Sequence, residues 1–215
     1  MQQKTTKKEV VAAFRTREIL AAAREVMERR GVDTATMDEI AQAAGVAKGT
    51  LYLYFTSKED LIHALMSQVG ENIRRDLAGI VESSLSPVEK LLKVISMLMD
   101  NLERERLLFP VYMRDLVQWS QKGGQAQFPR VKTLEEEIVG ILTRLFSEGI
   151  ARGVFMDADP KLLTFLLRGL VRAVGYYQMT SRQEDAVKEA LPVVSTLILS
   201  GIAKRMTSAD EVHQK

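Results

Sequence analysis

The chain has no cysteine among its 215 residues. A disulfide scaffold, a cysteine zinc site and a cysteine nucleophile are therefore excluded. Its two histidines are too few for most histidine-based metal sites and triads. Five prolines make about 2% of the chain, under half the usual ~5%, which points to helix. The most apolar stretch near the C-terminus, Leu191 to Ala203, is too short to span a bilayer and carries Ser195, Thr196 and Ser200. The opening residues, MQQKTTKKEV, lack the apolar core of a signal peptide. Gly123-Gly124 is not followed by the Lys-Ser/Thr of a phosphate loop. The expectation is a soluble cytoplasmic protein that is not an enzyme, with no cofactor and no membrane partner.

What is present is a globular, helix-rich composition. Hydrophobic residues make 46% of the chain and charged residues 27%, enough apolar surface for a core and too little charge for disorder. The net charge is +2, so no global excess announces a nucleic-acid binder. The first thirty residues are more telling, with eight Lys or Arg against four Glu. That local excess reads either as a weak electrostatic footprint or as a solvated helix face.

Helix-start signals divide the chain. Ser or Thr followed three residues on by an acid forms a capping box, and the pattern occurs at Thr6/Glu9, Thr36/Glu39, Ser57/Asp60, Ser86/Glu89 and Ser181/Glu184. Pro87 and Pro160 suit first helical positions. Gly31, Gly45 and Gly153 sit where helices should stop. The pattern predicts nine helices, at about 7–30, 37–44, 48–54, 58–84, 87–105, 107–120, 130–152, 160–180 and 182–206. Residues 120–130, SQKGGQAQFPR, read as a mobile loop, and both termini should fray.

Residues 36–55, TMDEIAQAAGVAKGTLYLYF, carry the functional signal. Ile40, Ala41 and Ala44 form one apolar face, Gly45 ends the helix, and Leu51 and Phe55 anchor a second short helix. Two short helices about a glycine turn make a helix-turn-helix. The outer face of the second bears Lys48, Thr50, Tyr52 and Tyr54, the hydroxyls and ammonium that phosphate contacts use, with a few side chains left for base edges. On pattern alone, a plain helical hairpin with aromatic edges is the competing reading.

The stretches ILAAAREVMERRG (Ile19 to Gly31) and TMDEIAQAAGVAKGTLYLYFTSKEDL (Thr36 to Leu61) resemble the tetracycline-repressor (TetR) family of bacterial transcription regulators. The resemblance implies an all-α, nine-helix protein. A three-helix DNA-binding domain at 1–57, or about 13–73 in the family's terms, would precede a regulatory ligand-binding and dimerisation domain at 58–215. Thr36 would cap the first motif helix and meet a phosphate. Lys48, Gly49 and Thr50 would face the major groove, Tyr52 and Tyr54 the backbone, and Leu53 a thymine methyl. Lys58 matches a phosphate-contacting lysine. Position 47, often Ser in the family, is Ala47 here, which removes one cap and one phosphate contact. Lys4, Lys7 and Lys8 form either a minor-groove arm or a solvated tail.

Beyond residue 74 the resemblance is architectural. Phe109, Tyr112, Met113 and Trp119 are of the kind that line adaptable apolar pockets. Phe165, Arg168, Arg172, Tyr176 and Tyr177 extend that set. Arg168 and Arg172 lie four apart among apolar residues. They either meet an anionic ligand or are exposed, or pair with Asp115 or Glu148. The last two helices suit homodimerisation, the penultimate one being apolar on more than one side. Pro192 should fall in the first turns of the last helix or kink it. His63 follows Glu59 and Asp60 at helical spacing, a weak metal pattern with only one imidazole.

The expected partners are double-stranded, pseudo-palindromic operator DNA, a second copy of the chain, and an apolar or amphipathic small-molecule effector. The expected mechanism is a repressor released from DNA when that effector binds, the helix starting near residue 58 carrying the motion. The alternative is a helix-turn-helix regulator that answers to a protein, or to no effector.

Overall fold

The computed structural model describes residues 6–121, 129–181, 183 and 185–202, and within these the side chains of 7, 8 and 118–121 are not described. The expected loop at 120–130 and both chain ends fall largely outside that set. The described residues form nine helices and no β-sheet. These are α1 (Lys7–Arg30), α2 (Met37–Ala43), α3 (Lys48–Tyr54), α4 (Lys58–Val81), α5 (Pro87–Arg104), α6 (Phe109–Gln121), α7 (Pro129–Ala151), α8 (Pro160–Ser181) and α9 (Ala186–Ile202).

The helix ends follow from local chemistry. Complete capping boxes open α1 at Thr6/Glu9, α2 at Thr36/Glu39 and α5 at Ser86/Glu89. At α4 the pattern departs from a box. The Asp60 amide donates to Ser57 Oγ (3.1 Å), but the Asp60 carboxylate accepts from the Thr56 amide (3.0 Å). Ser181 closes α8 rather than opening α9, and Glu184 lies outside the described residues. Gly31, Gly45 and Gly153 all take positive φ (91°, 64° and 70°), a region that strains other L-residues. Pro192 sits in the second turn of α9.

The chain divides into two compact units. One holds the described residues of Met1–Val69 and Leu107–Val131. Its core joins Ile19, Val26 and Met27 of α1, Ile40 of α2, Leu51 of α3 and Leu61 and Leu65 of α4. Leu108 and Val111 pack into this same core, so the unit that contains the motif runs past residue 57 and takes in α6. The other unit holds the described residues of Gly70–Arg106 and Lys132–Lys215. There α5 packs on α8 and α9, and α8 on α9, with Leu91, Ile95, Leu142, Phe146, Phe155 and Leu167 buried. The Met156 amide donates to the Ile202 carbonyl at 2.7 Å, tying the turn after α7 to the end of α9.

Candidate nucleic-acid interface

Thr36 fixes where α2 begins. Its hydroxyl accepts from the Glu39 amide at 3.2 Å, and the Glu39 carboxylate accepts from the Thr36 amide at 3.0 Å. That hydrogen bonding holds the Glu39 carboxyl below its ordinary value. Arg30 adds an ion pair to Glu39 at 2.9 Å. Met37, Ile40 and Ala41 point inward. The turn to α3 is a Schellman closure. The Gly45 amide donates to Gln42 O (3.1 Å) and the Val46 amide to Ala41 O (3.0 Å), which satisfies carbonyls that the end of α2 would otherwise leave open.

Helix α3 is seated by Leu51 and Phe55, which are 0% and 5% exposed. Ala47 stands at its cap and supplies no side-chain hydrogen bond. Lys48, Gly49, Tyr52 and Leu53 are exposed, and Thr50 and Tyr54 are half-buried. Leu53 is 84% exposed, more than any other large apolar side chain of the described residues. Tyr54 packs partly against the core of this unit, so its ring has a structural duty besides its hydroxyl. A Cβ built on Gly49 meets nothing within 4 Å, and its φ is not positive. The fold itself therefore does not require glycine there.

Two lysines are engaged within the protein. Lys48 Nζ lies 2.7 Å from Asp38 Oδ1 and 3.0 Å from Oδ2, and this hydrogen bond and charge raise its pKa. Lys58 Nζ donates to the carbonyls of Val32 (3.2 Å), Asp33 (2.6 Å) and Ala35 (3.1 Å). It clamps the α1–α2 connection to the start of α4, a role invisible to a reading of lysines as phosphate ligands. Lys7 is the first residue of α1 rather than part of an extended arm, and Lys8 follows it in the helix. Lys4 lies outside the described residues.

The residues expected to bind an effector fall in different units. Phe109, Tyr112 and Met113 are half-buried in α6, with the Phe109 and Tyr112 rings 6.4 Å apart and tilted at 43°. Trp119 is also in α6, its side chain outside the described set. In the other unit Arg168 pairs with Glu135, not with Asp115 or Glu148, and Arg172 is half-buried. Phe165 and Tyr176 are 48% and 58% exposed. They share their side of α8 with Leu162 and Leu166, while Leu163, Leu167 and Val174 form the buried stripe. Phe165, Leu166 and Gly169 line an open apolar cleft of about 490 Å³ with Leu197 and Gly201 of α9.

His63 finds its partner across helices. It and Asp115 are both buried and 3.4 Å apart, whereas no group of three potential metal-ligating side chains occurs among the described residues. No described helix is long and apolar enough to cross a membrane.

A capped helix, a glycine turn and a short second helix with an uncovered outer face define a helix-turn-helix regulator. The sequence matches the family description "Bacterial regulatory proteins, tetR family" over residues 19–65, and "Tetracyclin repressor-like, C-terminal domain" over 84–176. The fatty acid metabolism regulator protein of Bacillus subtilis is 30% identical over 86% of this chain and 94% of its own length. The transcriptional repressor KstR2 of Mycolicibacterium smegmatis is 27% identical over 73% of this chain and 75% of its own. The structure of Bacillus subtilis FadR in complex with stearoyl-CoA superimposes with a TM-score of 0.68 at 26% identity, over 86% of this chain and 98% of that one. The chain belongs to the TetR family of DNA-binding transcriptional regulators.

Proposed function

We propose that this protein is a homodimeric repressor. It binds a pseudo-palindromic operator through α3 and is released by an amphipathic effector with a long acyl chain. The observation that carries the reading is the outer face of α3. An exposed leucine and an uncrowded glycine are costly in a free protein, and both become useful against DNA. Leu53 suits a thymine methyl, and Gly49 lets the helix backbone approach closely. Thr36, Thr50, Tyr52 and Tyr54 supply hydroxyls for phosphates, which set the register.

Dimerisation is supported by the second apolar stripe of α8. Leu162, Phe165, Leu166 and Tyr176 are exposed on one side of α8, and Phe165 and Leu166 share an apolar cleft with Leu197 of α9, the kind of surface that marks an interaction site. A second copy related by a two-fold axis would cover it, and the protein symmetry would demand symmetry in the operator. Phe165 and Tyr176 then serve that interface rather than the effector. The acyl effector rests on the stearoyl-CoA bound by the Bacillus subtilis relative, and α4 would carry the signal to the heads. A ten- to hundredfold loss of operator affinity needs only ~1.4–2.7 kcal/mol of coupling.

Selection from a random duplex library tests the reading. A two-fold symmetric motif is expected, and stearoyl-CoA should release the selected duplex. Recovery of no motif overturns the sequence-specific reading. A motif with no response to acyl-CoA in binding or in thermal stability overturns only the effector, and favours a regulator that answers to a protein or to none.

A further inference from the structure

The helix-turn-helix carries a net negative charge. Residues 36–55 contain Asp38, Glu39 and Lys48 as their only Asp, Glu, Lys or Arg. The one cation is already paired: Lys48 sits against both Asp38 oxygens at 2.7 and 3.0 Å. Glu39 is engaged elsewhere, by Arg30 and the Thr36 amide. Asp38 is thus the anion assigned to Lys48. Both side chains are well exposed, at 63% and 60%, on the two helices that the motif presents to DNA.

This arrangement works against indiscriminate binding. Affinity for random sequence comes almost wholly from cations meeting phosphates and releasing counterions. To reach a phosphate, Lys48 must leave Asp38, and Asp38 then faces the polyanion without its partner. Both costs fall equally on every DNA sequence. The non-ionic contacts of Thr50, Tyr52 and Leu53 are left as a larger share of the total.

We propose that Asp38 is a positioning residue, which restrains Lys48 in an ion pair and so lowers the affinity of the motif for DNA of any sequence. The inference rests on the DNA-binding reading above. Unlike a base-contacting residue, Asp38 acts through Lys48, and that gives the test its form.

The full-length parent, Asp38→Asn, Lys48→Ala and the double variant are titrated against a random-sequence duplex from about 50 to 200 mM salt. Thermal midpoints check that each variant folds, as exposed positions should allow. Asp38→Asn should bind about two- to fivefold more tightly per head, the worth of an exposed ion pair. Its salt dependence should steepen by about 0.9 per head. In the Lys48→Ala background the same change should have a clearly smaller effect and leave the salt slope almost unmoved, since only the repulsion between Asp38 and the phosphates is then relieved. The proposal is overturned if Asp38→Asn leaves affinity and salt slope unchanged, or if its effect is undiminished without Lys48. It is also overturned if the selected sequence changes while the slope does not, which would make Asp38 a base reader. A parent that binds no duplex overturns the DNA-binding reading, and this inference with it.

Discussion

His63 of α4 and Asp115 of α6 face each other at 3.4 Å, Nδ1 to Oδ2, and each is less than one-tenth exposed. Burial pushes the imidazole below its ordinary 6.5; Asp115, Asp60 and Glu59 oppose that, and Arg114 reinforces it. Burial likewise pushes the Asp115 carboxyl above 3.8, against the pull of His63 and Arg114. As pH falls through 6.5, the unfolded chain takes up a proton here before the folded one does. Stability should therefore decline from about pH 6.5 down to the lowered folded value. Asp115 acts in the opposite sense. The cost of burying its carboxylate is present above its raised pKa and is relieved as it protonates. Urea midpoints between about pH 5.5 and 7 should fall for the parent and stay flatter for His63→Asn. Parallel profiles would show that His63 does not control this window.

Gly49→Ala should separate folding from binding. The added methyl meets no atom of the protein and improves helix propensity, so the fold should gain up to ~1 kcal/mol. Operator affinity should nevertheless drop about tenfold or more, since forcing a methyl into a close interface costs ~1–3 kcal/mol. Unchanged binding would leave α3 at a greater distance from DNA than proposed. For the hydroxyls, Thr50→Ala and Tyr54→Phe are the informative changes. Tyr54→Ala would also remove a ring that packs on the core.

Lys90 is 4% exposed and meets Glu148 at 2.9 Å, which also binds Arg152 at 2.8 Å. Glu148→Gln leaves a buried ammonium poorly compensated. The expected loss is about 2 kcal/mol, below the 3–5 of fully buried pairs because Glu148 is partly exposed. Lys90→Met should cost much less, because it removes the charge along with the need for a partner. Chemical denaturation of the two variants checks the order, and a reversed order would refute it.

Leu197→Glu places a charge on the apolar face of α9, where Leu197 is 57% exposed. The folded chain should tolerate it, and sedimentation should show a monomer with weakened operator binding. A dimer that survives the change would move the interface elsewhere.

Gly149→Ala should destabilise by about 1–3 kcal/mol through overpacking. A Cβ there would run into the Phe155 ring, and Phe155 is fully buried. Calorimetry should also show partial recovery in Gly149→Ala/Phe155→Leu, where the smaller side chain makes room. No recovery would place the strain in the backbone instead.

The fold was legible because its signals are local. Thr6/Glu9, Thr36/Glu39 and Ser86/Glu89 act within one turn, and Gly31, Gly45 and Gly153 mark their stops wherever the rest of the chain goes. The motif was legible for the same reason, being contiguous. Pairings across the chain were not. Arg168 meets Glu135 and Lys90 meets Glu148, 33 and 58 residues apart, and no spacing rule selects one glutamate among many. The Lys58 clamp is not legible either, because a lysine bound to carbonyls looks, in sequence, like any surface lysine. The exposure of Phe165 and Tyr176 is likewise not legible, because composition does not tell an inward apolar stripe from an outward one.

The clamp at Lys58 has a consequence for how such a protein can switch. One ammonium holds three carbonyls of the α1–α2 connection, so the first turn of α4 cannot slide by an ångström or two without forfeiting them. The α1–α2 connection then travels with that turn. In the dimer proposed above, an effector that shifted α4 as a body would carry each such connection with it and alter the interval between the two reading surfaces. Release becomes a question of spacing, much as a key cut correctly still fails in a lock whose pins have been moved apart.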